Sequence, residues 1–307
     1  MITRYAAKVY RQSAPSFAEW PSIFHEGYYM MLTAYADESY TKEENNYKNI
    51  AVCGYIAKSD YWKTFESAWR DKLNDYGPKS FHFREFNSKE FCSDSQSPYF
   101  EWPEEKRDNY FYDLAMIAGG GAVPFGGVVP AKQFVQEGIK DDPVLVAYTA
   151  FFSDLRESIS MHWPKLNGQN FKERVHFVLD CNTDKKWVAP FTQAYNVYRQ
   201  RELIFGGITW GNDESDLPLQ SADLLAAAAR QQNESGAKTP RVLDLILNKN
   251  LYHKREGITF SKLVCTAMKC DWITAIKRLR KMEKDFRQNN PGKKYFPFEH
   301  PPLKKSQ

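Results

Sequence analysis

No C-x-x-C pair occurs in this chain, and its five cysteines, Cys53, Cys92, Cys181, Cys265 and Cys270, are scattered and odd in number. That pattern indicates neither a disulfide framework nor a zinc knuckle, and it favours a reducing compartment. No apolar run approaches the roughly 20 residues needed to cross a bilayer, and the N-terminus lacks the basic-then-apolar order of a secretory signal. The expectation is a cytoplasmic protein with no membrane span. Glycine is sparse where nucleotide chemistry would require it. No G-x-x-x-x-G-K-[ST] loop is present, and the first strand is followed by Asp37-Glu38-Ser39-Tyr40-Thr41 rather than a glycine turn. Actin-like ATPases and sugar kinases are disfavoured on that ground. The absence of a G-x-S-x-G elbow, and of a cysteine beside a clear histidine partner, argues against a serine or cysteine hydrolase. Neither charge dominates: 42 Lys and Arg face 38 Asp and Glu, a balance that permits a polyanionic partner without requiring one.

Aromatic residues are abundant, with 21 Phe, 18 Tyr and 8 Trp among 307 residues. Such side chains remove large areas from water, enough for one large core or a core with a helical appendage. Residues 1–29 carry no sustained period and read as an N-terminal arm or as sequence upstream of the true start, since Met30 and Met31 directly precede the first strand. From Tyr28 to Glu38 an uncharged run ends on two acids, as a buried strand would, and Ile50–Ala57 reads as its antiparallel hairpin partner after a polar loop. Ser59 or Asp60 can cap a helix to about Asp75, with Trp62, Phe65, Trp69 and Leu73 at helical spacing and Gly77-Pro78 ending it. Lys79–Phe86 alternates aromatic and polar residues and reads as extended.

A helix is predicted near Glu104–Ala118, then a strand at Ala122–Pro130 placed at a sheet edge by Pro124, which cannot donate to a central ladder. A helix near Asp142–Trp163 is long enough for a crossover. Arg174–Asp180 is a second strand ending on an acid; a helix near Val188–Glu202, an apolar strand at Leu203–Trp210 and an alanine-rich helix opened by Pro218 follow. Residues 236–307 read as a helical, basic extension. The order favours one mixed sheet flanked by helices.

Three acids stand where segments end or begin: Asp37, Asp180 and Asp223. Sites in open α/β sheets form outside the carboxyl ends of strands. Grouped carboxylates repel unless a cation neutralises them, and hard Mg²⁺ or Mn²⁺ prefers oxygen donors. Taken singly, each acid has an ordinary role as turn former, loop acid or first-turn helix acid.

The D-E-S of Asp37, Glu38 and Ser39, the strand-ending Asp180 and the L-Q-S-A-D-L-L of Leu219–Leu225 together resemble the family catalogued as domain of unknown function 3800, which is similar to the ribonuclease-H-like superfamily. The resemblance spans about residues 30–235 and implies an α/β, ribonuclease-H-like mixed five-stranded sheet with an acidic metal site. By position, Asp37, Asp180 and Asp223 correspond to metal ligands. Glu38 joins them only if the strand bends or ends beside Asp37, because successive strand side chains face opposite sides. His82 and Glu85 resemble a polar segment near the family's site and could supply a proton-transfer group and a metal-facing acid; the ordinary alternative is a surface histidine on an edge strand. Glu66 and Asp71 are candidates for the helical acid that ribonuclease H carries.

Gln220 and Ser221 could bond a ligating carboxylate or cap the helix. Asp213, Glu214 and Asp216 read as a solvated acidic run outside the core set. The function expected is metal-dependent hydrolysis of DNA or RNA with Mg²⁺ or Mn²⁺; the alternative is a non-catalytic nucleic-acid- or protein-binding module with a vestigial ion site. Lys277, Arg278, Arg280, Lys281, Lys284 and Arg287 could neutralise phosphates, or simply complement a helix dipole.

Overall fold

Alternation along the strands decides the architecture. In the computed structural model, which describes residues 32–43, 46–136, 141–162, 174–180, 185–201, 205–235 and 288, the chain forms β1 (Leu32–Glu43), β2 (Asn46–Lys58), α1 (Ser59–Tyr76), α2 (Phe83–Asn87), α3 (Lys89–Ser93) and α4 (Glu104–Ala118). It continues as β3 (Val123–Val129), α5 (Ala131–Gln136), α6 (Pro143–His162), β4 (Val175–Asp180), α7 (Lys185–Arg201), β5 (Phe205–Gly211) and α8 (Leu217–Ser235). The five strands make one mixed sheet in the order β3-β2-β1-β4-β5. β1 pairs antiparallel with β2, and β2 antiparallel with β3, while β4 lies parallel to both β1 and β5. Proline-containing β3 stands at the edge, as a residue without an N–H demands.

Every second side chain enters a different core. Ala34 and Ala36 of β1, Ile50 and Val52 of β2, and Phe177 and Leu179 of β4 pack with Phe134 of α5, Phe151 and Phe152 of α6 and Phe191 of α7. Tyr35, Ala51, Cys53 and Val178 point the other way, into a core with Trp62, Phe65 and Trp69 of α1, Tyr110 and Leu114 of α4 and Leu224 and Leu225 of α8. The sheet is thus buried on both faces between two helical layers. This parity later separates Asp37 from Glu38.

Two elements differ from the sequence reading. β1 does not end at its acids: it runs to Glu43, and β2 begins at Asn46, so most of the supposed loop is hairpin. The extension packs onto the first core. Tyr40 and Tyr47 sit edge to face with ring centroids 5.3 Å apart, and the buried Trp187 of α7 packs on both and donates from Nε1 to Tyr47 Oη at 3.0 Å. Cross-strand aromatic pairs of this kind stabilise strands that hydrophobic alternation alone does not announce. The Lys79–Phe86 segment forms no strand: Lys79 and Ser80 bend, His82 has extended dihedrals, and residues 83–87 turn into α2, because Phe83 and Phe86, three apart, both enter the second core.

Gly126 in β3 has φ +117°, a conformation open to glycine, and a Cβ there would lie 2.2 Å from the Val52 carbonyl oxygen. Its N–H is bonded to the buried carboxylate of Asp154 on α6 at 2.8 Å. Among the described residues no helix is long and apolar enough to cross a membrane. The N-terminal arm and, apart from residue 288, the basic C-terminal extension fall outside the described residues.

Candidate active site

The pairing of β1 divides at the first acid. On one side the ladder to β2 continues without interruption through Asp37↔Cys53 and Glu38↔Val52. On the other, the ladder to β4 ends at Ala36↔Leu179. Asp37 and Asp180 are the next residues on these two neighbouring parallel strands, both on the face that carries Tyr35 and Val178. α8 crosses this face and brings Asp223, in its second turn, to the same place. Three acids distant in sequence therefore meet where β1 parts from β4.

Their electrostatics express the meeting. Asp37 is held well above the usual carboxylate range, first by burial, then by the charges of Asp223, Glu38 and Asp180, against the opposing effect of the Glu38 N–H, which donates to Asp37 Oδ1 at 2.7 Å. Asp223 is pushed up to about 6, chiefly by burial. Opposing that are the Phe83 N–H, which donates to Asp223 Oδ2 at 2.7 Å, and the charge of His82; Asp213 and Asp180 push the same way as burial. As whole residues, Asp37 and Asp223 are partly exposed. Mutual repulsion of this kind is what a divalent cation relieves. The donor set, all carboxylate oxygen, suits Mg²⁺ or Mn²⁺. Among the described residues no three His, Cys, Asp or Glu side chains already close into a metal-holding group, so coordination would draw the carboxylates inward.

The other predicted residues fall into two sets. Glu38 lies on the opposite face, where the Tyr148 hydroxyl of α6 donates to its carboxylate. β1 does not end between Asp37 and Glu38, and its register with β2 is unbroken there, so the two side chains face opposite sides of the sheet. His82 stands at the start of α2 beside the acids, with Nδ1 3.1 Å from Asp213 Oδ2. Glu85, one turn further, is half-exposed, and its charge bears on Tyr99.

Of the helical acids, Asp71 is exposed, whereas Glu66 is half-buried and raised, by burial and by the charge of Asp216. Both Glu66 and Asp216 raise Tyr35, two residues before Asp37 on the same face. Ser221 Oγ donates to the Pro218 carbonyl within its own helix.

Gln220 neither caps the helix nor bonds a candidate ligand. Buried at 1% exposure, it accepts at Oε1 from Trp69 Nε1 at 2.8 Å and from the Phe81 N–H at 3.0 Å, and donates from Nε2 to the Asp213 carbonyl at 2.7 Å. It joins α1, the segment before α2 and the loop after β5.

That loop is where the sequence reading erred most. Asp213, Glu214 and Asp216 are not one solvated run. Asn212 organises a turn: its backbone carbonyl accepts from the Ser215 and Asp216 N–H groups, and its Oδ1 accepts from Glu214 N–H. Asp216 Oδ2 in turn accepts the Asn212 N–H at 2.9 Å. The turn folds onto Gly211, where a Cβ would meet Asp216 Oδ2 at 2.8 Å. Only Glu214 and Ser215 are left fully outward among the loop's polar residues after Asn212. The signal available in sequence was the Asn212 that opens the run, since Asn and Asp bond their own backbone in turns.

Neither family models nor curated proteins match the chain.

Proposed function

We propose that this protein is a divalent-metal-dependent nuclease that hydrolyses phosphodiester bonds of DNA or RNA, with Mg²⁺ or Mn²⁺ held by Asp37, Asp180 and Asp223. The observation that carries the reading is the convergence of these three carboxylates at the parting of β1 and β4, with Asp37 raised by burial and by the charges of Asp223, Glu38 and Asp180, and Asp223 by burial and by the charges of Asp213 and Asp180. The strand order β3-β2-β1-β4-β5 with helices on both faces supports placing the chain among ribonuclease-H-like folds. A cation bound there supplies Lewis-acid charge at the phosphate and lowers the pKa of a coordinated water. The rest falls to the protein. Asp37, fixed in the β1–β2 ladder and bonded to the Glu38 N–H, offers a rigid donor, and Asp223 is oriented by the Phe83 amide.

The test is Mn²⁺- and Mg²⁺-dependent cleavage of end-labelled single- and double-stranded DNA and RNA by the parent and by an Asp37→Asn, Asp180→Asn double variant of unchanged fold. Cleavage by the parent alone supports the nuclease and its site. If neither protein cuts and neither binds Mn²⁺ in titration calorimetry, the reading fails and a non-catalytic binding module takes its place.

A further inference from the structure

The loop after β5 supplies a group that the metal-site reading does not use. Asp213 places a carboxylate oxygen 3.1 Å from His82 Nδ1, with the two side chains 15% and 30% exposed. The contact is built rather than incidental, because each partner's backbone is fixed. Gln220 accepts the Phe81 N–H and donates to the Asp213 carbonyl, so one buried side chain holds both segments, and the Trp69 indole locks its oxygen. On the other side of His82, the Phe83 N–H is held by Asp223. His82 is thereby bracketed at both flanking amides and at one ring nitrogen, while its Nε2 makes no hydrogen bond to any described residue. The imidazole stands near enough to Asp223 for its charge to act on that carboxyl.

We propose that Asp213 is a positioning residue of an Asp213–His82 dyad, and that His82 Nε2–H protonates the oxygen that leaves phosphorus during phosphodiester hydrolysis. This inference rests on the nuclease reading. A bond forms between the attacking water oxygen and phosphorus, and the phosphorus–leaving-oxygen bond breaks with its electron pair passing to that oxygen. The proton comes from Nε2 of the imidazolium, the proton released by the water passes to solvent, and solvent reprotonates His82. The Asp213 carboxylate keeps Nδ1 protonated, directs Nε2 outward and stabilises the imidazolium through a charge-assisted bond. Proton donation by a positioned side chain contributes about 10²- to 10⁴-fold.

The test compares the parent, His82→Ala, Asp213→Asn and the double variant on an oligonucleotide and on the same oligonucleotides carrying a 3′- or 5′-bridging sulfur at the cleaved linkage. A thiolate leaves without needing a proton. On the all-oxygen substrate each single variant is expected to lose about 100-fold or more in kcat, and the double variant no more than His82→Ala. On whichever sulfur substrate the parent cleaves, all variants are expected to approach the parent rate. Equal losses on oxygen and sulfur substrates overturn the dyad and leave the nuclease standing. A parent that cuts neither overturns both. Should a variant fail to fold, ¹⁵N histidine spectra of the parent decide: an unprotonated Nδ1 in neutral His82 overturns the arrangement.

Discussion

The indole N–H of Trp69 and the carboxamide oxygen of Gln220, 151 positions apart in sequence, meet at 2.8 Å in the interior. The same oxygen takes the Phe81 amide, and the amide end of Gln220 satisfies the Asp213 carbonyl. Gln220→Ala strands two buried donors and an acceptor, each costing about 1–3 kcal/mol when left unpaired. The expected loss is roughly 3 kcal/mol of unfolding free energy, allowing for some entry of water. Urea denaturation followed by Trp fluorescence measures it. A variant within about 0.5 kcal/mol of the parent, the range of an ordinary surface change, contradicts the joint described for this side chain.

Glu38 and Asp37 are neighbours in sequence with opposite destinations. The Tyr148 hydroxyl is buried and held well above its ordinary pKa, by burial and then by the Glu38 charge. Glu38→Gln is therefore expected to act on the α6 side of the sheet. In Mn²⁺ titration calorimetry it should reduce affinity by less than the roughly tenfold typical of losing even an outer-shell partner, whereas Asp37→Asn should exceed that. Equal losses from the two substitutions place Glu38 at the metal after all.

Much of this arrangement could be read from residues alone, for identifiable reasons. Glu104–Ala118 was predicted with the bounds it has, because Gly119 and the following glycines close it sharply. Pro124 marks the edge strand, and the Asp37, Asp180 and Asp223 convergence follows from the end of the β1–β4 ladder at Ala36 and Leu179 and from the first two turns of α8, although β1 itself runs on to Glu43. What escaped depended on partners remote in sequence. The length of β1 rests on Tyr40, Tyr47 and Trp187 packing together, and no local period encodes that. Asp213 looked like one acid in a run until Gln220 and His82 gave it a fixed place. α2 was hidden because Phe81 and Phe83 fit a period of two, whereas only Phe83 and Phe86 take a helical step.

Gly126→Ala tests the backbone of the edge strand. A Cβ would stand 2.2 Å from the Val52 carbonyl oxygen and 2.6 Å from Cys53 Cα, at a φ that L residues avoid. Strain and overpacking each cost about 1–3 kcal/mol, so a loss of roughly 3 kcal/mol or more is expected. Thermal melting reads it directly. Unchanged melting shows that β3 does not approach β2 as described.

The acids that define the site also set its dependence on pH. The folded pKa values of Asp37 and Asp223 lie above the unfolded value of about 3.9, the latter at about 6. Above about pH 4 the folded, metal-free protein binds more protons at these groups than the unfolded chain, so their contribution to stability is full below about pH 4 and is lost as pH rises, for Asp223 through about 6 and for Asp37 through its own raised pKa. Other carboxylates run the opposite way; Glu234, held down by the Thr41 hydroxyl and the Arg230 charge against its burial, is one. The contribution is therefore read as a difference. An Asp37→Asn, Asp223→Asn variant keeps acceptors for the Glu38 and Phe83 amides but carries no repelling charge. In chelator, its melting temperature relative to the parent should rise between pH 4.5 and pH 7. Adding Mn²⁺ at pH 7 should raise the parent and leave the variant unmoved, because cation binding to the folded state alone is a stabilising linkage. A difference between the two proteins that is flat with pH means that neither burial nor neighbouring charge raises these carboxyls. If the difference slopes as expected yet Mn²⁺ has no effect, the raised pKa values stand and the ligand is something other than this cation.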